Sequence, residues 1–199
     1  MSKASIIIVA AGASRRMNKA KQLLPLEDGI LLGKVIEEAK ASAAAEVIIV
    51  LGAYSEEIVS KIQNYDCIVV KNENWQQGLG SSIAAGIRYF LQHKEKISAA
   101  LVMLGDQPLV DSGYVDKMLK HAGENPSTII ATSYPRSLGV PAVFPQNYFK
   151  ELANLKEDKG AKNILRRERD SVIALNAGER ILDIDTPQDY QNLLDRYSK

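Results

Sequence analysis

Small residues and cations are combined near the start of the chain. The segment from Ala10 to Lys21, called the first loop, follows the apolar run Ile6 to Val9, opens with small residues and places four cations within seven positions. Small residues allow a ligand to approach the backbone, and free N–H groups with Arg and Lys neutralise phosphate oxygens. The first loop is therefore a candidate polyphosphate site. A solvated basic turn is the alternative interpretation of the same pattern.

Two common phosphate-binding motifs are excluded by their spacing. The dinucleotide fingerprint requires further glycines after Gly12, and the Walker loop requires a second glycine before its lysine and Ser or Thr after it. The first loop meets neither requirement. A GTPase-like switch that would use 102–106 as its Walker B strand is excluded for the same reason.

Asp106 is the first candidate metal ligand. It follows the apolar run Ala100 to Leu104, which is suited to a central strand, and therefore lies where that strand ends. Mg²⁺ prefers a few oxygen ligands together with phosphate oxygens and water. Stabilisation of a tight turn before Pro108 is the alternative role for this aspartate.

Asp185 is the second candidate metal ligand. It precedes Thr186-Pro187-Gln188-Asp189, a sequence that predicts the capped start of a final helix. A favourable charge near that helix N-terminus is the alternative role. Asp183 is a weaker candidate, because only Asp185 reaches the end of the extended segment predicted at Ile181 to Ile184.

The glycine-rich segment Gly78-Leu79-Gly80-Ser81-Ser82 precedes another predicted helix. Its amides and hydroxyls are suited to contacts with a base, ribose or phosphate, whereas an ordinary glycine turn capped by Ser81 is the alternative. Trp75, in the same connection, could line a nucleotide pocket, but packing against the domain surface is the favoured interpretation. His93 and His121 lack Cys or acidic partners at metal spacing and do not indicate a zinc site.

The elements that must position these residues alternate along the chain, which predicts an α/β fold with a mostly parallel sheet flanked by helices. Loops that follow such strands gather at one edge of the sheet, where ligands bind. The predicted strands are Ile6 to Ala10, Val47 to Leu51, Cys67 to Val70, Ala100 to Leu104 and Thr128 to Ala131. The predicted helices are Leu31 to Ala41, Glu56 to Gln63, Ile83 to Leu91, Tyr114 to Ala122, Phe149 to Leu155 and Ala161 to Arg167.

Length and charge indicate one domain, 1–199, with no polyanion partner. The 199 residues include 25 Lys and Arg against 24 Asp and Glu, so no overall field attracts nucleic acid or an acidic membrane surface. A cluster of prolines and glycines after Ile130 predicts a small inserted lobe at about 133–170. The single cysteine, Cys67, and the lack of a visible signal or membrane-spanning segment make the cytoplasm the expected location.

The first loop resembles the N-terminal signature of the MobA/MocA-like nucleotidyltransferases, and especially of molybdenum cofactor cytidylyltransferases. The similar residues are Ala10-Ala11-Gly12, Ser14, Arg16-Met17 and Lys21-Gln22-Leu23-Leu24-Pro25. Further blocks resemble the family in the same order, so that the resemblance covers nearly the whole chain. They are Gly78-Leu79-Gly80-Ser81-Ser82 with Ala85-Gly86-Ile87, Leu104-Gly105-Asp106-Gln107-Pro108-Leu109-Val110, Lys159-Gly160-Ala161-Lys162 and Asp183-Ile184-Asp185-Thr186-Pro187.

The resemblance implies a three-layer, Rossmann-like fold of the nucleotide-diphospho-sugar transferase type, in which 133–170 is an acceptor-side insertion. It also implies Mg²⁺-dependent transfer of a nucleotidyl group to a phosphorylated acceptor, with release of pyrophosphate. Arg16, Lys21 and Asp106 would be catalytic, and Asp106 and Asp185 would bind the metal. The implied nucleotide-binding residues are Ala10, Ala11, Gly12, Ser14, Arg16, Lys21, Gly80, Ser82 and Asp106.

The same resemblance favours particular substrates. Ala11 stands where guanylyl-transferring relatives tend to have glycine, which favours CTP, and the implied acceptor is molybdopterin or the molybdenum cofactor, with transient contact to a molybdoenzyme or its chaperone. Three departures from the family pattern are Asn18 in place of glycine, Val140 in place of histidine, and Glu157-Asp158-Lys159 near a usual Gly-Asp pair. The last two concern the acceptor. A sugar or polyol phosphate acceptor, or a non-catalytic nucleotide-binding cofactor chaperone, are therefore the alternatives.

Overall fold

The computed structural model describes residues 4–14, 16–17, 19–93, 97–156 and 160–197. Within these residues, seven strands form one sheet in the order β5-β4-β1-β6-β8-β7-β9, and β2 pairs with β3 in a small separate hairpin. The strands are β1 (Ala4–Val9), β2 (Pro25–Leu26), β3 (Gly29–Ile30), β4 (Val47–Leu51), β5 (Ile68–Lys71), β6 (Ala99–Leu104), β7 (Ile130–Tyr134), β8 (Ser137–Pro145) and β9 (Ile173–Asn176).

Helices cover both faces of the sheet. They are α1 (Leu31–Ala41), α2 (Ser55–Ile62), α3 (Leu79–His93), α4 (Ser112–Glu124), α5 (Phe149–Leu152), α6 (Lys162–Arg167) and α7 (Pro187–Tyr197). Alternate residues of β1 enter different cores, since Ile6 and Ile8 pack with α1, α2 and α4 whereas Ile7 and Val9 pack with α3, α5 and α6. A strand buried on both faces is largely apolar, as β1 is apart from the buried Ser5. The predicted three-layer, Rossmann-like α/β fold is confirmed.

The direction of the strands divides the sheet. The strands β5, β4, β1 and β6 pair in parallel, whereas β8 is antiparallel to both β6 and β7. The last strand, β9, is again parallel to β7. We call β5-β4-β1-β6 the parallel half and β8-β7-β9 the mixed half. Only the parallel half presents a continuous row of strand ends at one edge.

The predicted strands and helices from Ile6 to Ala131 are present with shifted bounds, and one later prediction is wrong. The extended segment expected at Ile181 to Ile184 is not a strand, because Gly178–Ile181 forms a 3-10 helix. The strand in this part of the chain is β9, which the sequence did not predict. Its alternation of exposed and buried residues is only four residues long, too short to stand out from its polar neighbours.

Residues 133–170 contribute β8 and the helices α5 and α6 to the layers of the main sheet. The apolar residues of both helices, including Phe149 and Leu165, pack in the same core as Ile7 of β1. The expectation that this region serves the acceptor stays a prediction. Glu157, Asp158 and Lys159 lie outside the described residues.

Candidate active site

The first loop and Asp106 lie side by side because β1 and β6 end together. Val9 pairs with Leu104 in parallel register, and the amide of Gly105 donates to the carbonyl of Val9 at 2.9 Å. A Cβ atom on Gly105 would lie 2.8 Å from the Cβ of Ala10. Glycine at this position therefore allows the loop that carries Asp106 to pass directly against the start of the first loop.

A third segment brings Asp185 to the same place. The amide of Ile184, a fully buried residue, donates to the carbonyl of Asp106 at 3.0 Å. On the other side of Asp185, the amide of Thr186 donates to Asp189 at 2.8 Å and the amide of Asp189 donates to the hydroxyl of Thr186 at 3.2 Å. The predicted capping box is confirmed, and it fixes the backbone immediately after Asp185.

Lys21 joins the two candidate metal ligands. Its Nζ donates to Oδ2 of Asp106, and also to Oδ1 of Asp185 at 2.8 Å. The side chain of Lys21 is only 12% exposed, so this cluster lies largely out of the solvent. Arg16 contacts the other oxygen of Asp185 at 2.8 Å, but its own side chain is 69% exposed. The lysine contacts therefore carry more electrostatic weight than the arginine contact, which the solvent screens.

Lys21 and Asp185 stabilise each other in their ionised forms. Burial disfavours the charged form of Lys21, but Asp106 and Asp185 outweigh it, and the pKa of this ammonium lies above its ordinary value. Burial likewise opposes the ionisation of Asp185, but Lys21 and Arg16 outweigh it and lower the pKa of the carboxyl group. The cluster thus carries a fixed cation and a fixed carboxylate at neutral pH.

The first loop presents free amides to the same space. Among the described residues, the N–H groups of Ala11, Gly12 and Ala13 donate no hydrogen bond. The carbonyls that precede them are occupied, because Nε2 of Gln22 donates to Ala10 at 2.9 Å and to Gly12 at 3.1 Å, and the amide of Ala53 donates to Ala11 at 3.1 Å. Free backbone amides beside Lys21 are hydrogen-bond donors that an anion can use.

Ser14 closes the first loop. Its φ of 50° is in the left-handed region, and its Oγ accepts from the amide of Lys21 at 3.2 Å. Strained backbone of this kind is characteristic of ligand-binding loops. Asn18, for which the sequence predicts a tolerated replacement of glycine, lies outside the described residues.

The opposite wall of the site is built around Asn72. This residue is 4% exposed, and its Nδ2 donates to the hydroxyls of Ser81 at 2.9 Å and Ser82 at 3.0 Å. These bonds attach the end of β5 to the first turn of α3. Between the two elements, Gly78 has a φ of 97°, a conformation that L side chains rarely adopt.

Trp75 belongs to this wall and was interpreted differently from the sequence. Trp75 is half-buried and lies beside Gly52, where an added Cβ would lie 2.4 Å from the Cβ of Trp75 and 2.9 Å from the carbonyl oxygen of Ala11. Gly52 thus permits the close approach of both walls. The indole lines the pocket, whereas a surface position was expected; a single tryptophan in a loop carries no periodicity that distinguishes the two.

The walls enclose a pocket of about 680 Å³, within the size range of small-molecule sites. All of the predicted nucleotide-binding, catalytic and metal-binding residues line it except Gly80. Gly80 is buried in the first turn of α3, and its contact with the nucleotide stays a prediction. The lining residues are Val9, Ala10, Ala11, Gly12, Ala13, Ser14, Arg16, Lys21, Gln22, Trp75, Gln76, Gln77, Gly78, Leu79, Ser82, Leu104, Gly105, Asp106 and Asp185.

The donor set fits a hard divalent cation. Oδ1 of Asp106 is buried and, among the described residues, has no hydrogen-bond partner, so that it has a free lone pair inside the site. Described residues offer no group of three or more His, Cys, Asp or Glu that could hold a metal ion. Two carboxylates suit Mg²⁺ or Mn²⁺ when phosphate oxygens and water complete the coordination.

A second polar cluster lies behind Asp106, outside the pocket lining. Nε2 of the fully buried Gln107 donates to Asp183 at 2.8 Å and to the hydroxyl of Tyr134 at 3.2 Å. Tyr134 in turn donates to the carbonyl of Val140 at 2.5 Å. We call Gln107, Tyr134, Asp183 and Val140 the Gln107 cluster. It connects the Asp106 loop to β7 and β8 of the mixed half.

Packing around the Gln107 cluster shifts two of its ionisations. Although the Asp183 residue retains substantial exposed surface, burial of its carboxyl group and the charge of Asp106 raise the pKa of this group. Burial raises the pKa of Tyr134 to about 12, so its hydroxyl keeps its proton at neutral pH. Asp183 is therefore placed differently from Asp185, as the weaker of the two candidates for a metal.

An α/β sheet whose strand ends carry free amides, a buried lysine and paired carboxylates defines a class of nucleotide-binding transferases. The chain belongs to the family described as the MobA-like NTP transferase domain, which residues 6–172 match. The family predicted from the sequence is confirmed. No described helix has the length and apolar character to cross a lipid bilayer.

Curated relatives in this family have different names. The chain is 28% identical over 209 residues to the molybdenum cofactor cytidylyltransferase of Escherichia coli (strain K12), covering 100% of both chains. It is 29% identical over 199 residues to the nicotine blue oxidoreductase of Paenarthrobacter nicotinovorans, covering 94% of this chain and 95% of that protein. Against the bifunctional protein GlmU of Nitrosospira multiformis, the identity is 28% and the chain spans 37% of that protein's length.

A solved structure shares the whole fold. Rv0371c from Mycobacterium tuberculosis H37Rv superimposes with a TM-score of 0.83 at 28% identity, covering 98% of each chain. A complex of the same protein with manganese superimposes with a TM-score of 0.76. A divalent metal in a related protein is consistent with the carboxylate donors described above.

Proposed function

We propose that this protein is a Mg²⁺-dependent cytidylyltransferase that moves CMP from CTP to a phosphorylated acceptor, of which the molybdenum cofactor is the leading candidate. The observation that carries the proposal is the convergence of Lys21, Asp106 and Asp185 beside three free amides in one pocket. Phosphoryl and nucleotidyl transfers depend on positioning and charge stabilisation, and this site offers both without a nucleophilic side chain.

In the proposed reaction, a phosphate oxygen of the acceptor attacks the α-phosphorus of the nucleotide. A new P–O bond forms, and the bond from the α-phosphorus to the bridging oxygen of pyrophosphate breaks. The amides of Ala11, Gly12 and Ala13 donate to triphosphate oxygens, while Lys21 and Arg16 offset the charge that develops on them. Asp106 and Asp185 would hold Mg²⁺, which when bound offsets negative charge on the phosphates and orients them.

The base and acceptor assignments rest on the relatives and on individual positions. The full-length similarity to a molybdenum cofactor cytidylyltransferase favours CTP and that cofactor, and Ala11 is consistent with cytidine. Val140, in place of the usual histidine, is the feature that favours another acceptor. Transfer to a sugar or polyol phosphate is therefore the second candidate.

The test is a matrix of each NTP against each acceptor, with Mg²⁺ present and pyrophosphate release as the readout. The expected result is release only with CTP and the molybdenum cofactor together. Release with a sugar or polyol phosphate would replace the acceptor, and release with another NTP would replace the nucleotide. Nucleotide binding without any release would favour a non-catalytic cofactor chaperone.

A matched pair of variants ties the activity to the pocket. Lys21→Ala removes the buried ammonium and is expected to lower turnover at saturating CTP and Mg²⁺ by about a hundredfold or more. Lys19→Ala removes an exposed lysine of the same loop that does not line the pocket, and should retain turnover. Wild-type turnover in Lys21→Ala would contradict the assignment.

A further inference from the structure

Gln22 has an arrangement that the reaction does not explain. It lies in the 3-10 helix Lys21–Leu23 and is 2% exposed, directly beneath the first loop. Its Nε2 donates to the carbonyls of both Ala10 and Gly12. The orientation of its amide follows from this pair, because a reversed amide would place Oε1 against two carbonyl oxygens.

The bonds to Gln22 determine where the loop amides point. A trans peptide is planar, so its N–H is directed opposite to its C=O. With the carbonyls of Ala10 and Gly12 turned towards Gln22, the next amides, those of Ala11 and Ala13, are turned away from it. The carbonyl of Ala11 is held separately by the amide of Ala53, which directs the amide of Gly12.

The first loop has few other constraints on this geometry. A Cβ built on Gly12 would meet no heavy atom within 4 Å, so no neighbouring group presses on Gly12 from that side. Glycine is also free to rotate its peptides between several conformations. The side chain of Gln22 is therefore the contact that holds two of the three peptides in the orientation observed.

We propose that Gln22 is a positioning residue that holds the amides of Ala11 and Ala13 ready to bind a polyphosphate. This inference rests on the proposed function only because it takes the ligand to be a polyphosphate. Two adjacent residues then have separate tasks, since Lys21 supplies charge to the pocket and Gln22 supplies the orientation of uncharged donors. Amides that are fixed in advance bind an anion without a cost of rearrangement at the moment of binding.

The experiment follows the loop amides directly. Sodium tripolyphosphate is titrated into the wild type in the presence of EDTA, with calorimetry for the dissociation constant and ¹⁵N–¹H spectra for individual amides. We expect the amides of Ala11 and Ala13 to shift together as the ligand binds. If neither of them shifts while tripolyphosphate binds, or if it does not bind, the proposal is overturned.

Gln22→Met keeps the length of the side chain and removes both donors. We expect the dissociation constant for tripolyphosphate to rise at least about tenfold. The reason is that the amides of Ala11 and Ala13 would no longer point at the ligand and would lose their charge-assisted bonds to it. The joint shift of the amides of Ala11 and Ala13 should disappear. Gln63→Met, at an exposed position outside the pocket lining, is the matched control and should bind as the wild type does.

A merely structural role for Gln22 gives a different result. It would lower thermal stability while leaving the joint amide shifts and the affinity of the folded fraction within about twofold of wild type, and that outcome overturns the proposal. Trp75 is the single tryptophan, and its unchanged emission would show that the opposite wall is intact. If Gln22→Met does not fold, Gln22→Glu tests the same point, because its carboxylate repels the two carbonyls and should weaken binding at least as much.

The failure of this inference and that of the proposed function are distinguishable. Gln22-dependent binding of tripolyphosphate without pyrophosphate release from any NTP would reject the transferase and keep the positioning role. Pyrophosphate release from CTP together with unchanged tripolyphosphate binding in Gln22→Met would do the reverse.

Discussion

The parallel half and the mixed half of the sheet use polar residues in different ways. In the parallel half, strand ends direct Lys21, Asp106 and the first-loop amides into an open pocket. Next to the mixed half, the hydroxyl of Tyr134 accepts from Nε2 of Gln107 and donates to the carbonyl of Val140, whereas Oε1 of Gln107 is buried without a hydrogen-bond partner among the described residues. Both arrangements meet at one dipeptide, because Asp106 belongs to the pocket and Gln107 to the cluster behind it.

If the acceptor side lies at 133–170, as the sequence predicts, this difference would let the fold keep its reaction while its acceptor changes. Parallel strands that end together bring their loops together whatever the rest of the chain does. An antiparallel strand such as β8 interrupts that row, and its hairpin can vary without moving the strand ends. We therefore expect substitutions in the parallel half to affect nucleotide turnover, and those in the Gln107 cluster to affect the acceptor.

The largest expected effect comes from Asp106→Asn, which keeps the side-chain shape and removes its charge. Because this carboxylate would hold the metal against the triphosphate, we expect turnover to fall by at least about a hundredfold with saturating substrates. Pyrophosphate release measures it. Asp170→Asn, an exposed aspartate outside the pocket lining, is the control and should be near wild type. Equal turnover in the two variants would remove Asp106 from the site.

Asn72→Ala tests the opposite wall of the pocket. It deletes the buried donors to Ser81 and Ser82 and the acceptor for the amide of Asn74, which should cost about 1–3 kcal/mol of unfolding free energy. Chemical denaturation measures this loss. The KM for the nucleotide should rise as well, because Ser82 and Gly78 line the pocket.

Asn147→Ala is the matched change, at an exposed position in the 3-10 helix that follows β8. It should alter the unfolding free energy by less than about 0.5 kcal/mol. A loss as large as that of Asn72→Ala would show that the bonds of Asn72 to α3 have no special weight.

The sequence was sufficient for the parallel half because its signals are local. Apolar runs mark β1 and β6, small and charged residues follow the first, and an aspartate follows the second. The fold and the position of the first loop beside Asp106 could be expected from this pattern, whereas the family followed from the resemblance of the motifs. The capping box before α7 was equally readable, since its residues are contiguous.

The sequence was not sufficient where a role depends on distant contacts. Gln22 looks like an ordinary polar residue, and only the folded loop shows that it binds two carbonyls ten and twelve positions away. The bond of Gln107 to Asp183 spans 76 positions and has no pattern along the chain. Strand β9 was missed because tertiary pairing with β7, and not its own composition, makes it a strand.

Tyr134→Phe is expected to separate the two halves. It removes the hydroxyl that donates to Val140 and accepts from Gln107, and the burial that raises the pKa of Tyr134 to about 12 keeps this donor protonated throughout the assay range. We expect the KM for the acceptor to rise by about threefold to tenfold, corresponding to one neutral hydrogen bond. The KM for CTP should stay within about twofold.

Steady-state kinetics with each substrate varied in turn measure this split. Tyr89→Phe, which removes a hydroxyl from α3 outside the Gln107 cluster, is the control. An equal rise in the KM for CTP and in the KM for the acceptor would contradict the division between the parallel half and the Gln107 cluster. The cluster would then affect nucleotide binding as well.

The smallest expected effect concerns the contact between the helices α1 and α4. Glu38 of α1 accepts from the amide of Ser112 at the start of α4 at 2.8 Å, and its other oxygen lies 3.2 Å from Lys34. Burial opposes its ionisation, but the bond from Ser112 and the charge of Lys34 outweigh it and lower the pKa of Glu38 from the ordinary 4.5. The ionised form is therefore favoured in the folded state.

The sign of the pH dependence follows from that direction. A carboxyl group whose pKa is lowered on folding stabilises the protein above its unfolded value of 4.5, and this stabilisation is lost as the pH falls through the lower folded value. Glu38→Gln should cost a few tenths of a kcal/mol near neutral pH, because solvent screens the pair. Glu37→Gln, one residue earlier and exposed, removes the same charge without the bond to Ser112. The difference in unfolding free energy between the two variants should shrink as the pH falls below 4.5. A difference that grows on acidification would show that the contact between Glu38 and Ser112 does not depend on an ionised Glu38.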